Sequence, residues 1–137
     1  MIEIISNPQP DQFLEAMKLA AEHVYEEDLS SPDAVPMAIR ELSESEIAVA
    51  VLLADPRRVQ GFIAYGVDSQ EAVIHALAVI PEARGQGFGR DLVGYVETVA
   101  EEQGAKEVGL QSLPDAMQFY EDLDYKKRAG RYMVKTI

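Results

Sequence analysis

The chain has 137 residues, of which 47% are hydrophobic, with a formal net charge of -12 and no cysteine. This size is sufficient for one hydrophobic core, so we expect residues 1–137 to form a single domain. Without cysteine there is no disulfide framework, thiolate metal site or cysteine nucleophile, and with only two histidines we expect no metal site. The negative charge disfavours binding to nucleic acid and favours cationic partners.

No apolar stretch reaches the length of a membrane span, and the strand-like "IEIIS" after Met1 does not have the pattern of a leader segment. We therefore expect a cytoplasmic protein that does not bind a membrane.

The first half of the chain predicts a strand, two helices and a row of three strands. Ile2 to Ile5 is strand-like, and apolar residues from Phe13 to Val24 recur at the spacing of one helix face. The "SSPDAV" stretch predicts a second helix, with Ser31 as its N-cap and Pro32 at its first position. The strands "EIAVAVLLA" and "RVQGFIAYGV" are predicted to turn at "DPR". The third strand, "EAVIHALAVI", is nearly all apolar, which is typical of a strand covered on both faces.

The second half predicts a helix, a strand, a short helix and two terminal strands. Leu92, Val96 and Val99 form a helical stripe that ends near Gly104. "KEVGLQS" is strand-like, "PDAMQFYEDL" begins like a short helix, and "YKKRAGRYMVKTI" predicts two strands that turn near Ala129 and Gly130. This order predicts an α/β (α+β) fold: a single mixed, mostly antiparallel sheet of about seven strands with helices on both faces.

A glycine-rich segment, "RGQGFG", lies between the predicted strand and the predicted helix. Glycines there allow backbone angles that other residues avoid, so main-chain N–H groups can converge at the positive end of a helix. Arg84 and Arg90 add positive charge. A tight turn without a ligand is the alternative, but the combination favours a phosphate or pyrophosphate site.

Two common nucleotide-binding patterns do not fit this segment. The dinucleotide pattern G-x-G-x-x-G fails because Arg90 and Leu92 stand where its last glycine would be. The nucleoside triphosphate loop fails because Arg90 and Asp91, rather than Lys and Ser or Thr, follow the last glycine.

The R-x-x-G-x-G pattern of "LAVIPEARGQGFG", Leu77 to Gly89, resembles the acyl-coenzyme A loop of the GNAT superfamily of N-acetyltransferases. "AMQFYEDLDY", Ala116 to Tyr125, is similar to the family's A-x-x-F-Y-x-x-x-G-F/Y stretch, and "RYMVK" to its closing strand. The order of elements agrees over nearly the whole chain. Two positions differ: Asp124 replaces the usual glycine, and Leu113 to Asp115 lack the usual asparagine.

The resemblance implies a GNAT-like sheet that opens between the strand at Val79 and the strand at Val108, with acetyl-coenzyme A as the cosubstrate. Pantetheine would lie in this opening, and the loop N–H groups would bind the pyrophosphate. Arg84 or Arg90 would reach further phosphate oxygens. The implied binding residues are Leu77, Ala78, Val79, Arg84, Gly85, Gln86, Gly87, Phe88, Gly89, Arg90, Phe119 and Tyr120.

The resemblance also implies direct attack of a primary amine on the thioester. An aliphatic amine has a reference pKa of about 10.4, so a base must remove its proton at neutral pH. Family mechanism, carried onto this sequence, makes Tyr120 the donor to the leaving sulfur and uses an N–H near Val79 to polarise the carbonyl. The alternative role for Tyr120 is an aromatic residue packed under the sheet.

Glu71 and His75 are the candidates for the base. Strict alternation places both on the face of Leu77 and Val79, where pantetheine would enter. A histidine in an apolar strand is also typical of the core, and Glu71 fits a solvated position equally well. A water chain is a further alternative, as are other carboxylates: Glu26, Glu27, Asp28, Glu44 and Glu46.

Two functions are consistent with these features. One is an acetyl-coenzyme A dependent N-acetyltransferase that acts on a cationic small-molecule or peptide amine, and such enzymes often form homodimers. The other is a noncatalytic acyl-coenzyme A sensor or interaction module. The glycine loop supports both, whereas Tyr120 and a same-face base favour the enzyme.

Overall fold

The computed structural model of the protein describes residues 2–137. Its strands are β1 (Ile2–Ile5), β2 (Glu46–Leu52), β3 (Asp55–Val67), β4 (Glu71–Val79), β5 (Glu107–Gln111), β6 (Lys126–Ala129) and β7 (Tyr132–Thr136). Its α-helices are α1 (Pro10–Leu19), α2 (Ala34–Glu41), α3 (Phe88–Glu102) and α4 (Met117–Asp122).

The strands form a seven-stranded sheet in the order β1-β2-β3-β4-β5-β7-β6. The β4–β5 pair is parallel, and the other neighbouring strands pair antiparallel. The order of elements and the mixed, mostly antiparallel sheet confirm the prediction from sequence. No helix within residues 2–137 is long and apolar enough to cross a membrane.

Apolar side chains form a core layer on each face of the sheet. On one face, the predicted stripe of α3 places Leu92 and Val96 against strand residues such as Ile74. On the other face, Met17 of α1 and Ala38 of α2 pack against Phe62 of β3. The two layers are called the α3 face and the α1 face below.

A bulge in β4 changes the expected alternation of its side chains. Ala64 of β3 pairs with Ala76, but the next residue, Tyr65, pairs with Ile74, so His75 has no partner on β3. One inserted residue reverses the faces on either side of it. Ile74 therefore packs on the α3 face and Ala76 on the α1 face, although they are two residues apart.

Two predicted boundaries are wrong. The β2–β3 turn consists of residues 53–54, because Leu52 pairs with Asp55, and Pro56 lies in a bulge where no ladder N–H is required. Ser31 does not cap α2: its side chain accepts the N–H of Asp33, and this preceding turn delays the helix to Ala34.

The helix-to-strand corner after α4 forms without the family glycine. Asp124 adopts a φ of 73°, in the left-handed region that glycine usually occupies. The N–H of Tyr125 then donates to the carbonyl of Tyr120 at 3.0 Å and closes the helix. Asp is one of the few residues that tolerate this conformation, so the substitution preserves the corner.

Candidate active site

The sheet opens into a fork between β4 and β5. Glu71 to Ile74 pair with Glu107 to Leu110, and no pairing with β5 continues beyond Ile74 among residues 2–137. The opening therefore lies between the strand that contains Val79 and the strand that contains Val108, as the family resemblance implies. The rest of β4 presents an unpaired edge, to which an extended ligand can add as a strand does.

A cavity of about 580 Å³ lies along this edge of β4 and is called the fork cavity here. Of the residues implied by the family resemblance, ten line it: Leu77, Ala78, Val79, Arg84, Gly85, Gly87, Phe88, Gly89, Arg90 and Phe119. Gln86 and Tyr120 are not among its lining residues. The Gln86 side chain instead donates to the carbonyl of Glu82 at 3.3 Å.

The glycine loop presents main-chain N–H donors at the start of α3. Gly85 and Gly87 have φ angles of 81° and 91°, which L residues rarely adopt. The first helical bond runs from Asp91 to the Gly87 carbonyl, and no N–H of residues 85–90 has an acceptor within the described chain. These donors and the helix dipole together fit an anion such as a pyrophosphate.

Gly89 has a different role from the other two loop glycines. A Cβ at this position would lie 3.2 Å from the Phe119 ring. Phe119 belongs to α4, so the absence of a side chain at Gly89 lets α4 pack against the start of α3. The packing closes the outer wall of the fork cavity.

The two arginines that flank the loop are exposed. Arg84 donates its Nε to the carbonyl of Val79 at 3.1 Å, so a ligand amide that uses this carbonyl must displace the side chain. Arg90 lies over Gly87, and its Nε is 3.8 Å from the Asp91 carboxylate. Both remain within reach of an anion at the loop because neither is fixed in a buried pair.

Tyr120 lies behind the cavity wall, in the core on the α3 face. It is 6% exposed, and its ring contacts Phe119 and Tyr125 at centroid distances of 5.0 and 5.7 Å. Burial raises the pKa of its hydroxyl above the ordinary value of about 10, so this group stays protonated at neutral pH. Every fully buried side-chain nitrogen or oxygen within residues 2–137 has a hydrogen-bond partner. The Tyr120 hydroxyl has no such partner there, so it retains contact with solvent.

Glu71 and His75 share a face, as predicted, but Leu77 and Val79 do not share it. Leu77 and Val79 pack on the α3 face. Glu71 lies beside Gly109, and the His75 Nε2 lies 3.4 Å from the position of a Cβ on Gly66, both on the α1 face. The expectation of one common face was wrong because the bulge at His75 reverses the alternation.

His75 is exposed and lines a second cavity of about 550 Å³. The other lining residues come from the end of the first helical segment, from the last turn of α2 and from the α2–β2 connection: Tyr25, Arg40, Glu41, Leu42, Ser43, Glu44 and Ser45. We call it the His75 cavity. No ion pair or hydrogen bond of the His75 ring occurs within residues 2–137, so its nitrogens are free to meet a ligand.

His23 lines the fork cavity and was not selected from the sequence. It belongs to a π-helical turn, Ala20–Val24, that extends α1, and its Nε2 lies 3.0 Å from the Glu22 carboxylate. A single π-helical turn leaves little trace in apolar spacing, so the direction of His23 could not be predicted. The available signal was a histidine at the end of the predicted first helix.

No group of three or more metal-ligating side chains is positioned to hold a metal ion in the part of the chain that the structure describes.

A sequence profile of the Acetyltransferase (GNAT) family matches residues 9–125. The chain belongs to the GNAT family. The match spans both the fork and the glycine loop of this GNAT domain.

Solved structures have the same fold as this GNAT chain. Ard1 from Thermoplasma volcanium is 20% identical with a TM-score of 0.77, and the alignment covers 99% of this chain and 97% of that one. PaiA N-acetyltransferase from Thermoplasma acidophilum, in complex with coenzyme A, is 18% identical with a TM-score of 0.71 and coverages of 100% and 99%. An aminoglycoside 6'-N-acetyltransferase complexed with coenzyme A is 18% identical with a TM-score of 0.73 and coverages of 99% and 96%.

Proposed function

We propose that the protein is an N-acetyltransferase that transfers an acetyl group from acetyl-coenzyme A to a primary amine of a small molecule or peptide. The observation that carries the proposal is the shared cavity of the glycine loop and the free edge of β4. One element suits a pyrophosphate and the other an extended amide chain, and coenzyme A contains both groups in that order. Two structural neighbours that are coenzyme A complexes support this choice.

On the phosphate side of the site, the cosubstrate is bound mainly by main-chain groups. The unpaired N–H groups of residues 85–90 receive the pyrophosphate, each charge-assisted bond contributing about 1.5 to 3 kcal/mol. Arg84 and Arg90 neutralise further phosphate oxygens. The edge of β4 from Leu77 to Val79 binds the pantetheine amides, and this directs the thioester toward the bulge at His75.

The acetyl group moves in one displacement. The amine nitrogen attacks the thioester carbonyl carbon, the carbon–sulfur bond breaks, and the sulfur leaves with the electron pair. The attacking nitrogen then loses its extra proton to the thiolate or to solvent, so the products are an amide and a free thiol. A main-chain N–H of the unpaired β4 edge at the bulge stabilises the oxyanion, closer to the thioester than the Val79 position that the family resemblance implies. Tyr120 donates a hydrogen bond to the departing sulfur. Because a thiol has a reference pKa of about 8.5 and the pKa of Tyr120 is raised, the phenol proton remains on Tyr120 while the bond stabilises the thiolate.

The proton of the acceptor ammonium is removed before attack. We propose His75 as this base, because its ring lies on the accessible α1 face at the bulge and has no protein partner within residues 2–137. His23 is the second candidate because it lines the fork cavity, but its Nε2 is paired with Glu22. The Glu71 carboxylate already accepts a bond from the Tyr132 hydroxyl, which makes it the weaker candidate.

The acceptor reaches the thioester from the α1 face and is cationic. The His75 cavity carries two carboxylates, Glu41 and Glu44, against one arginine, Arg40, and the whole chain has a net charge of -12. These charges attract an ammonium group over a long range.

The test is release of coenzyme A thiol from acetyl-coenzyme A in the presence of a panel of amines. The proposal predicts release that depends on the amine and is fastest for cationic acceptors. A rise in melting temperature with coenzyme A but no amine-dependent release would instead favour the noncatalytic sensor. If coenzyme A does not bind and no thiol is released, both functions are contradicted.

A further inference from the structure

Tyr132 and Glu71 form a side-chain pair on the α1 face that the proposed chemistry does not use. The Tyr132 hydroxyl donates to Glu71 Oε1 at 2.5 Å, although the two residues are 61 positions apart in the sequence. Tyr132 begins β7 and Glu71 begins β4, so the bond crosses the intervening strand β5.

Gly109 of β5 provides the space for this bond. A Cβ at position 109 would lie 2.8 Å from Glu71 Oε1 and would overlap the Tyr132 hydroxyl as well. A glycine inside a strand loses conformational entropy and weakens the strand, so its presence is consistent with a close approach by other groups. The pair is therefore fitted to this position of the sheet.

Glu71 forms no ion pair within residues 2–137. Arg128 of β6 forms two bonds with Glu107 at 3.2 and 3.3 Å, and Glu71 adds only a smaller electrostatic attraction to this guanidinium. Glu71 accepts only the neutral Tyr132 hydroxyl, whose pKa rises to about 12, chiefly through this bond, so the phenol keeps its proton at neutral pH. Glu71 Oε2 has no hydrogen bond within residues 2–137 and is free to accept one.

The Tyr132–Glu71 pair lies near the proposed binding place of the acceptor. Gly66 of β3 and Gly109 of β5 both pair with Val73, one on each side of it. The His75 ring lies at Gly66 and the Glu71 carboxylate at Gly109, so the two groups are separated by about two strand spacings, roughly 10 Å. Both side chains are on the α1 face. This separation is too large for Glu71 to contact the reacting nitrogen at His75, but it suits a second charged group on the same acceptor.

We propose that Glu71, held in place by Tyr132 across Gly109, selects acceptors that carry a second cationic group, such as short aliphatic diamines. The proposal rests on the acetyltransferase function and defines its substrate class. The carboxylate receives the distal ammonium while the near amine reacts at the bulge, and Tyr132 is a positioning residue that acts through Glu71.

The kinetic test compares diaminohexane with aminohexanol, which differ only in the distal group. We expect the native protein to prefer the diamine by about tenfold in kcat/KM, through a lower KM. Glu71→Gln abolishes this preference, and Tyr132→Phe reduces it several-fold, while kcat for aminohexanol stays the same. Glu102→Gln and Tyr95→Phe, on the α3 helix, are matched controls that keep the preference.

Two kinetic results would overturn the proposal. An unchanged preference in Glu71→Gln means that the pair only stabilises the sheet. An equal loss of kcat for both acceptors means that Glu71 takes part in the reaction instead of selecting the acceptor.

A binding measurement separates this proposal from the acetyltransferase function. Diaminohexane added to the protein with coenzyme A should shift the amide NMR resonances of Gly109 and Tyr132, whereas aminohexanol should not, and Glu71→Gln should remove the shift. Such shifts without acetylation of any amine would support the site and refute the transferase function. No difference between the two ligands would refute the site even if the protein acetylates amines.

Discussion

Tyr120 has a ring that is packed in the core and a hydroxyl that no group of the described chain satisfies. Its ring packs between Phe119 and Tyr125, yet its hydroxyl has no protein partner within residues 2–137. Burial raises the pKa of this hydroxyl, so the group remains a donor across the neutral and mildly alkaline range. Because Tyr120 contacts Phe119, which lines the fork cavity, we propose this protonated hydroxyl as the donor to a sulfur that gains charge during the reaction.

Replacing Tyr120 with Phe should lower kcat about a hundredfold, the size expected for loss of one donor to developing charge. Affinity for acetyl-coenzyme A should change little, because Phe keeps the ring and its packing. Steady-state rates and titration calorimetry on the same variant measure the two effects. Unchanged kcat, with chemistry shown to limit the rate, would exclude Tyr120 from the mechanism.

The two histidines provide a matched pair of variants. His75→Gln should lower kcat/KM about a hundredfold, because the proposed base is then missing. His23→Gln should retain kcat/KM within a few-fold. The opposite pattern would assign the base to His23, and two silent variants would leave a water chain as the base.

At the scale of elements, the fork depends on the short parallel pairing of β4 with β5 and on the bulge that follows it. The pairing holds the strands together as far as Ile74, and the bulge directs His75 and the residues after it to new faces. The glycine loop then begins α3 with its N–H groups toward the opening. Each element contributes one group that a coenzyme A thioester needs.

Variants at Gly87 and Gly94 separate the contribution of the glycine loop from that of helix α3, which begins at the loop. Gly87→Ala forces a side chain to a φ of 91°, so we expect a loss of about 1 to 2 kcal/mol in stability and weaker coenzyme A binding. Gly94 of α3 has open space around it, so Gly94→Ala should add about 0.5 to 1 kcal/mol and keep binding. Denaturant unfolding measures the change in stability, and coenzyme A titration measures the change in affinity. Equal affinity in folded Gly87→Ala would show that the loop is only structural.

The order of elements could be predicted because each helix and strand carries its own apolar period. The glycine loop could also be located, since positive φ angles and free donors follow from glycines before a helix. The bulge at His75 could not, because Ile74 and Ala76 are apolar and fit either face. The Tyr132 bond to Glu71 could not be predicted either, because it depends on the order of strands in the sheet and on the space left at Gly109.

For the whole molecule, the net charge of -12 bears on the cationic acceptor that we propose. The charge of -12 acts on the encounter with a ligand, which salt screens over about 10 Å at 0.1 M ionic strength. We expect kcat/KM for a cationic amine to fall several-fold between low and high salt, and kcat/KM for a neutral amine to stay constant. Equal salt dependence of kcat/KM for the cationic and the neutral amine would show that long-range attraction does not favour the cationic one.

The mass spectrum of the amine shows whether the protein transfers the acetyl group of acetyl-coenzyme A, as we propose. After incubation of diaminohexane with the protein and acetyl-coenzyme A, we expect an amine that carries one acetyl group, with one free thiol released for each product molecule. Unmodified amine in a reaction in which the protein binds acetyl-coenzyme A, repeated across cationic and neutral acceptors, would contradict the proposal.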